Sequence, residues 1–384
     1  MGKRKCRRKM EKKVCKLSFG MVANAVLAVC VPVAVLANAY EDRIAEIDGV
    51  EYFYHDEAHL GGSVLGRHSP RRAINIPDDR KRLSIPMSIS GFGGTLPIVK
   101  IDEKACRRLV DVEEIVLPEG ICEIGRAAFE ECWSLKKINI PATVRNIGAY
   151  AFRDCESLKI LTLPTNVKIA TYELFKNCKS LEKFSFPEGE YESVDAACFS
   201  GCSSLKEIVI PPSVMKIDGS AFKGCLALSK IKMPHKLKTI GNDAFSGCRS
   251  MELIDIPECV IEIGDSAFKD CVGLKKIRLP FRITKIESEV FANCTSLSEI
   301  SIPENVEWIN MHAFGNCSSL RAIKFSDGIQ KIRIADAAFT GCANLKEITL
   351  PRSIADSVLN TKVDYRYDSK KLRELPGLKI TYTE

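Results

Sequence analysis

Ile124-Gly125-Arg126-Ala127-Ala128-Phe129-Glu130-Glu131-Cys132-Trp133-Ser134-Leu135-Lys136-Lys137-Ile138-Asn139-Ile140-Pro141 is the stretch that decides the fold. Its end alternates apolar and polar residues from Leu135 to Ile140 and stops at a proline, which cannot donate to a strand ladder. It therefore reads as a short strand followed by a turn. Ile124-Gly125 at its start reads as a second short extended piece with a bend. Between them, Ala128, Phe129 and Cys132 place apolar residues at spacings of one and four, which fits about one helical turn packing inward.

The same pattern recurs in one register, marked by a Phe followed three residues later by a Cys: Phe129/Cys132, Phe152/Cys155, Phe175/Cys178, Phe199/Cys202, Phe222/Cys225, Phe245/Cys248, Phe268/Cys271, Phe291/Cys294, Phe314/Cys317 and Phe339/Cys342. Successive Phe residues are 23 apart, except for one interval of 24 and one of 25. Each Cys is followed at +3 by Leu (Met251 once), at +6 by an aliphatic residue or Phe, and usually at +9 by Pro. A degenerate eleventh copy comes first, with Cys106 in the Phe slot and Leu109 in the Cys slot. One such coil cannot bury its apolar positions alone, whereas stacked coils bury them against each other in a continuous core. The expected architecture is a repeat solenoid over residues 101–351, about 11 coils, with an N-terminal capping region at 40–100 and a C-terminal cap at 352–384.

The copies resemble bacterial BspA-type leucine-rich repeats, and the segment before them, with Asp48-Gly49-Val50, Tyr52, Ile74 to Pro77 and Leu83 to Pro86, resembles the capping region such proteins carry. The general pattern L-x-x-L-x-L-x-x-N/C is not followed, since Thr143 stands three residues after Ile140 and no Asn ladder forms there. The resemblance implies a leucine-rich-repeat solenoid in a secreted or surface-attached protein that binds other proteins or matrix components. It carries over no catalytic residues.

The whole chain has 384 residues, a formal charge of +7 and 17 Cys, which invites nucleic-acid, metal or disulfide readings. Position argues against them. Residues 1–16 hold nine Lys/Arg against the single acid Glu11, an apolar run follows from Leu17 to Leu36, and Ala37-Asn38-Ala39 supplies small residues for cleavage. That order is a secretory signal peptide over 1–39. Its rival is an uncleaved amino-terminal anchor, because the apolar run is about long enough to span a bilayer. Without 1–39, 47 basic and 48 acidic residues remain, a net charge of −1.

Three of the 17 Cys lie in the leader, and ten of the other 14 form the one-per-coil ladder. Zinc would need paired Cys at two- to four-residue spacing. Coils stacked about 4.8 Å apart with parallel Cβ vectors exceed the usual Cβ range of a disulfide. The ladder is expected to consist of buried free thiols acting as small hydrophobes.

Little in the chain points to catalysis or to a cofactor. His55-Asp56-Glu57-Ala58-His59 misses the H-E-x-x-H order of a zincin. Gly91-Phe92-Gly93-Gly94 lacks the Lys-Ser/Thr of a phosphate loop and reads as a turn. His68, His235 and His312 stand isolated. Two sequons, at Asn293 and Asn316, have ladder Cys as their middle residues. The expectation is a non-enzyme.

Binding belongs on the exposed strand positions, which line up in stripes across coils. In L-x-x-I-x-I the three x stripes carry 13 basic and six acidic residues, +7 within a mature chain of −1. The candidate partner-binding residues are Lys136, Lys159, Lys183, Lys206, Lys232, Lys275, Arg278, Arg321, Lys324 and Lys346. The function this suggests is recognition of a protein or anionic glycan on another cell or matrix, in adhesion or host interaction. The alternative is an envelope-anchored accessory glycan-binding protein. The competing explanation for the Lys residues is solubility beside strands. Acids mixed into the stripes argue against a phosphate track, so nucleic acid is not an expected partner.

Overall fold

The computed structural model describes residues 43–47, 50–54, 62–64, 81–91, 94–165, 167–169, 171–365, 368–374 and 377–383. The expected signal peptide and the His55 to His59 segment lie outside the described residues. The repeats form a solenoid of short parallel strands, and each regular coil contributes two. One stack, the strand face, comes from L-x-x-I-x-I: Glu207–Val209 pairs with Lys230–Lys232, Leu253–Asp255 with Lys276–Arg278, and Glu299–Ile302 with Ala322–Phe325 and then Glu347–Pro351. The other stack holds the two-residue strands of the Ile-Gly segment, such as Lys216–Ile217, Thr239–Ile240 and Glu262–Ile263.

The inward-packing turn expected at A-F-x-x-C is present with a geometry of its own. Residues two before each Phe and one before each Cys have positive φ, between 48° and 77°, as at Ser220 and Gly224 around Phe222. Lys104 and Arg108 do the same around Cys106, so the degenerate first coil shares the register. Left-handed residues at these two positions interrupt the run and split the amide groups into two sets. One set closes i to i+3 turns, as Cys225 N–H does to the Phe222 carbonyl at 3.1 Å. The other points along the solenoid, as the N–H groups of Ser220, Phe222 and Gly224 donate to the Asn242, Ala244 and Ser246 carbonyls at 2.7–2.8 Å. A continuous helix would use all its amides internally and leave none for the neighbouring coil. The turn thus becomes a third hydrogen-bonded stack.

Left-handed backbone costs an L-residue roughly 1–2 kcal/mol. Ser220 sits at φ 57°, and its side chain makes no hydrogen bond among the described residues. Ser220→Gly is expected to raise stability by about 1 kcal/mol in urea unfolding, and Ser220→Val to lower it by more than that. Destabilisation by the glycine would contradict the assigned geometry.

Inside, the ten ladder Phe side chains are fully buried. Their rings stack coil on coil at centroid distances of 5.3–5.8 Å. All ten ladder Cys residues are buried, and none is in a disulfide. Each thiol donates to the carbonyl in the Phe slot of the preceding coil, as Cys225 Sγ does to Phe199 O at 3.1 Å and Cys132 Sγ to Cys106 O at 3.1 Å. Cysteine suits that slot because it is small and apolar yet still carries a weak donor. Glycine after the second strand answers to close approach: a Cβ on Gly241 would lie 2.7 Å from the backbone nitrogen of Gly219 in the preceding coil.

The 24-residue interval marks a fault in the stack. Phe184 and Phe186 fill slots held elsewhere mostly by aliphatics, and with Tyr191 they pack around Phe175 and Phe199. Here the strand face thins to isolated bridges, Ile160 to Lys183 and Lys183 to Glu207. The second stack breaks at the same place, between Lys168–Ile169 and Ser193–Val194.

Toward the N-terminus, Ser88–Gly91 and Gly94–Ile101 pair antiparallel with Gly91 opposite Gly94. Gly94–Ile101 then starts the second stack by pairing with Glu123–Ile124. At the other end, Lys379–Thr383 adds a parallel strand beside Glu347–Pro351, and buried Val358 and Leu372 pack onto the last coil.

Candidate partner-binding face

Alternation along each short strand turns the middle residue inward and its neighbours outward, as in the exposed–buried–exposed pattern of Glu207–Val209, Leu253–Asp255 and Lys276–Arg278. All ten candidate residues are exposed on this face. Parallel pairing sets like positions side by side, so Val209 neighbours Lys232, Asp255 neighbours Arg278, and Ser301, Lys324 and Thr349 form one row.

Half of the candidates already have acidic partners one coil away. Lys136 pairs with Glu113 at 2.8 Å, Lys183 with Glu207 at 3.3 Å, Lys206 with Glu182 at 2.9 Å and Lys275 with Glu252 at 2.7 Å. Arg278 reaches Glu258 at 2.8 Å. Hydrogen bonds from Lys136 and Lys81 hold the Glu113 carboxyl down at about 2. Lys159, Lys232, Arg321, Lys324 and Lys346 have no ion pair among the described residues, and neither does Lys230 beside Lys232. The stripe charge therefore overstates what a partner meets. Only part of the strip offers unneutralised cations.

The face is hollowed beside the fault. A concavity of about 930 Å³ lies over Lys183 to Gly189, Glu207 to Val209, Lys230 to Lys232, and Leu253. A smaller one of about 290 Å³ adjoins it through Leu253 and runs over Lys276 to Arg278 and Ser301. Three aliphatic side chains project outward from the strand positions: Ile160 at 66%, Val209 at 60% and Leu253 at 63% exposure.

A family model for the BspA type leucine rich repeat region matches residues 99–229, 215–333 and 332–360, more than half of the chain. The chain belongs to the BspA-type leucine-rich repeat family. Among solved structures, a leucine rich cell surface protein from Faecalibacterium prausnitzii A2-165 is 24% identical with a TM-score of 0.52, covering 81% of this chain and 95% of its own. A leucine-rich repeat protein from Bacteroides ovatus ATCC 8483 is 26% identical with a TM-score of 0.52, covering 88% of this chain and 99% of its own. No curated protein matches the chain.

Within this BspA-type solenoid, sequence reasoning found the outward stripes but missed the hollow and its aliphatics. The signals were there: the 24-residue interval, Phe184 and Phe186 in slots usually aliphatic, and apolar residues in stripes otherwise polar. The ladder Phe and Cys residues contribute nothing to the surface. Asn293 donates its amide to Asp270 at 2.7 Å and Asn316 to Asn293 at 3.0 Å, so both sequon side chains are engaged in bonds between coils. Among the described residues, no cluster of His, Cys, Asp and Glu is placed to hold a metal ion, and no helix is long and apolar enough to cross a membrane.

Proposed function

We propose that this BspA-type chain is an exported, non-catalytic protein that recognises a macromolecular partner through its strand face. The observation that carries the reading is the hollowed face itself, where exposed aliphatics stand beside Lys230 and Lys232, which have no ion pair among the described residues. Isolated exposed apolar residues are ordinary on proteins. Three on one regular face, in a fold that repeats the same polar slot, are not required by packing. Many weak contacts along such a surface sum to specificity, and unneutralised Lys residues speed encounter with acidic partners.

The test is a matched pair of triple variants binding to matrix proteins and anionic glycans. Lys232→Glu, Arg278→Glu and Lys324→Glu together are expected to weaken binding by about tenfold or more and flatten its salt dependence. Lys168→Glu, Lys238→Glu and Lys285→Glu on the second stack should leave it unchanged. Equal effects from both sets would remove the strand face from the account.

The export half of the reading rests on the order of the leader residues, and a solved cell surface protein with the same fold is in keeping with it. Fractionation with amino-terminal sequencing is expected to find a chain starting at Tyr40 outside the cell. An intact leader in the membrane fraction would favour the anchored alternative.

A further inference from the structure

Along the solenoid axis the outward strand positions alternate in chemistry with a period of two coils. Exposed Ile160 is followed by Lys183, then Val209 beside Glu207, then Lys230 and Lys232, then Leu253 beside Asp255, then Lys276 and Arg278, so coils with an outward aliphatic alternate with coils whose outward charges are basic. Parallel strands step by about 4.8 Å, so like residues recur about every 9.6 Å along the axis. Three residues of an extended chain in the polyproline II conformation, at about 3.1 Å each, cover about the same distance and bring every third side chain back to the same side. Val209 sits one outward position across from Ile160 and Leu253, an offset that a branched aliphatic side chain on a partner can reach.

We propose that the occupant of this face is an extended protein segment with an aliphatic residue at every third position and a carboxylate in the interval, lying along the axis from Ile160 to Leu253. The inference rests on the strand-face reading above and deepens it by choosing protein over glycan. Charge complementarity selects the acids: Lys230 and Lys232 project into the concavity of about 930 Å³ with no ion pair among the described residues. Glu207, beside Lys230 in register, is already held by Lys183 at 3.3 Å. The aliphatics select a protein. Val209 and Leu253 flank the two lysines and offer branched apolar surface, against which the polar groups of a sulfated or carboxylated sugar chain would lose their water without gaining hydrogen-bond partners.

Short random peptides displayed on phage, selected on the wild-type protein and counter-selected on Lys230→Glu/Lys232→Glu, test the inference. The expected enrichment is a consensus of aliphatics three apart with Asp or Glu between them. Anisotropy with the enriched peptide should then show at least about tenfold weaker binding for Lys230→Glu/Lys232→Glu, and likewise for Val209→Ser/Leu253→Ser, both with unchanged circular dichroism. Enrichment without acids, enrichment without aliphatics, no enrichment, or indifference to either double variant overturns the inference. If peptides fail while heparin binds and loses affinity on charge reversal of the strand face, the broader reading survives and this one falls. If neither probe is weakened by strand-face reversal, both fall.

Discussion

Between about pH 9 and 10, in the presence of a reductant, the protein is expected to unfold in one steep transition. Burial pushes up the thiols of Cys106, Cys132, Cys155, Cys178, Cys198, Cys202, Cys225, Cys248, Cys271 and Cys294, with Cys106 and Cys271 reaching about 12. Cys342 is also raised, by a hydrogen bond with Cys317 and then by burial. In the unfolded chain such thiols ionise near 8.5. The folded form keeps its protons while the unfolded form loses them, so stability is fully present below about pH 8.5 and falls as pH climbs toward the folded values. One unit above the unfolded pKa each thiol costs on the order of 1 kcal/mol, and eleven together cost on the order of 10 kcal/mol. That is as large as the entire stability of ordinary domains. Circular dichroism against pH should show a cooperative loss of structure that moves to higher pH when several ladder Cys residues become Ala. A protein still folded at pH 11 would mean that the ladder thiols are not buried.

The second large effect is expected from Phe245→Ala. Phe245 lies mid-ladder, fully buried, between Phe222 at 5.3 Å and Phe268 at 5.4 Å. Removing the ring deletes its transfer energy and leaves a cavity whose walls are the rings above and below, at a cost of about 3–5 kcal/mol. Coils couple only to their neighbours, so the loss concentrates at one level of the stack. Urea unfolding is expected to begin at a lower concentration and to separate into two phases as the halves on either side uncouple. A loss under about 1 kcal/mol, with one unchanged transition, would show that the ring ladder does not couple the coils.

Most of the fold was legible because a repeat states each rule ten times. Phe129 to Phe339 and Cys132 to Cys342 announced the coil length, the buried slots and the strand that follows them. The unbridged, buried thiols followed from the Phe and Leu that flank each Cys together with the coil spacing. What could not be read was local and geometric. Apolar spacing places Phe222 inward but says nothing of the left-handed backbone at Ser220 and Gly224, which frees amides for the next coil. Nor does small size reveal that each Cys also donates to a carbonyl 26 to 28 residues earlier in the chain. For the candidate face, the stripes were legible by periodicity, whereas ion pairing was not. Lys183 and Lys232 look alike as letters, and only the register places Glu207 within reach of one of them. The hollow depended on one extra residue between Phe175 and Phe199, a signal too small to weigh without the packing of Phe184 and Phe186 around it.

Hydrogen–deuterium exchange of the mature protein, with and without a ligand captured on it, tests the central claim most directly. The account predicts added protection in the strand segments Glu207–Val209, Lys230–Lys232, Leu253–Asp255 and Lys276–Arg278, with little change in Lys216–Ile217, Thr239–Ile240 and Glu262–Ile263. Protection confined to the second stack or to the Phe–Cys turns would contradict it.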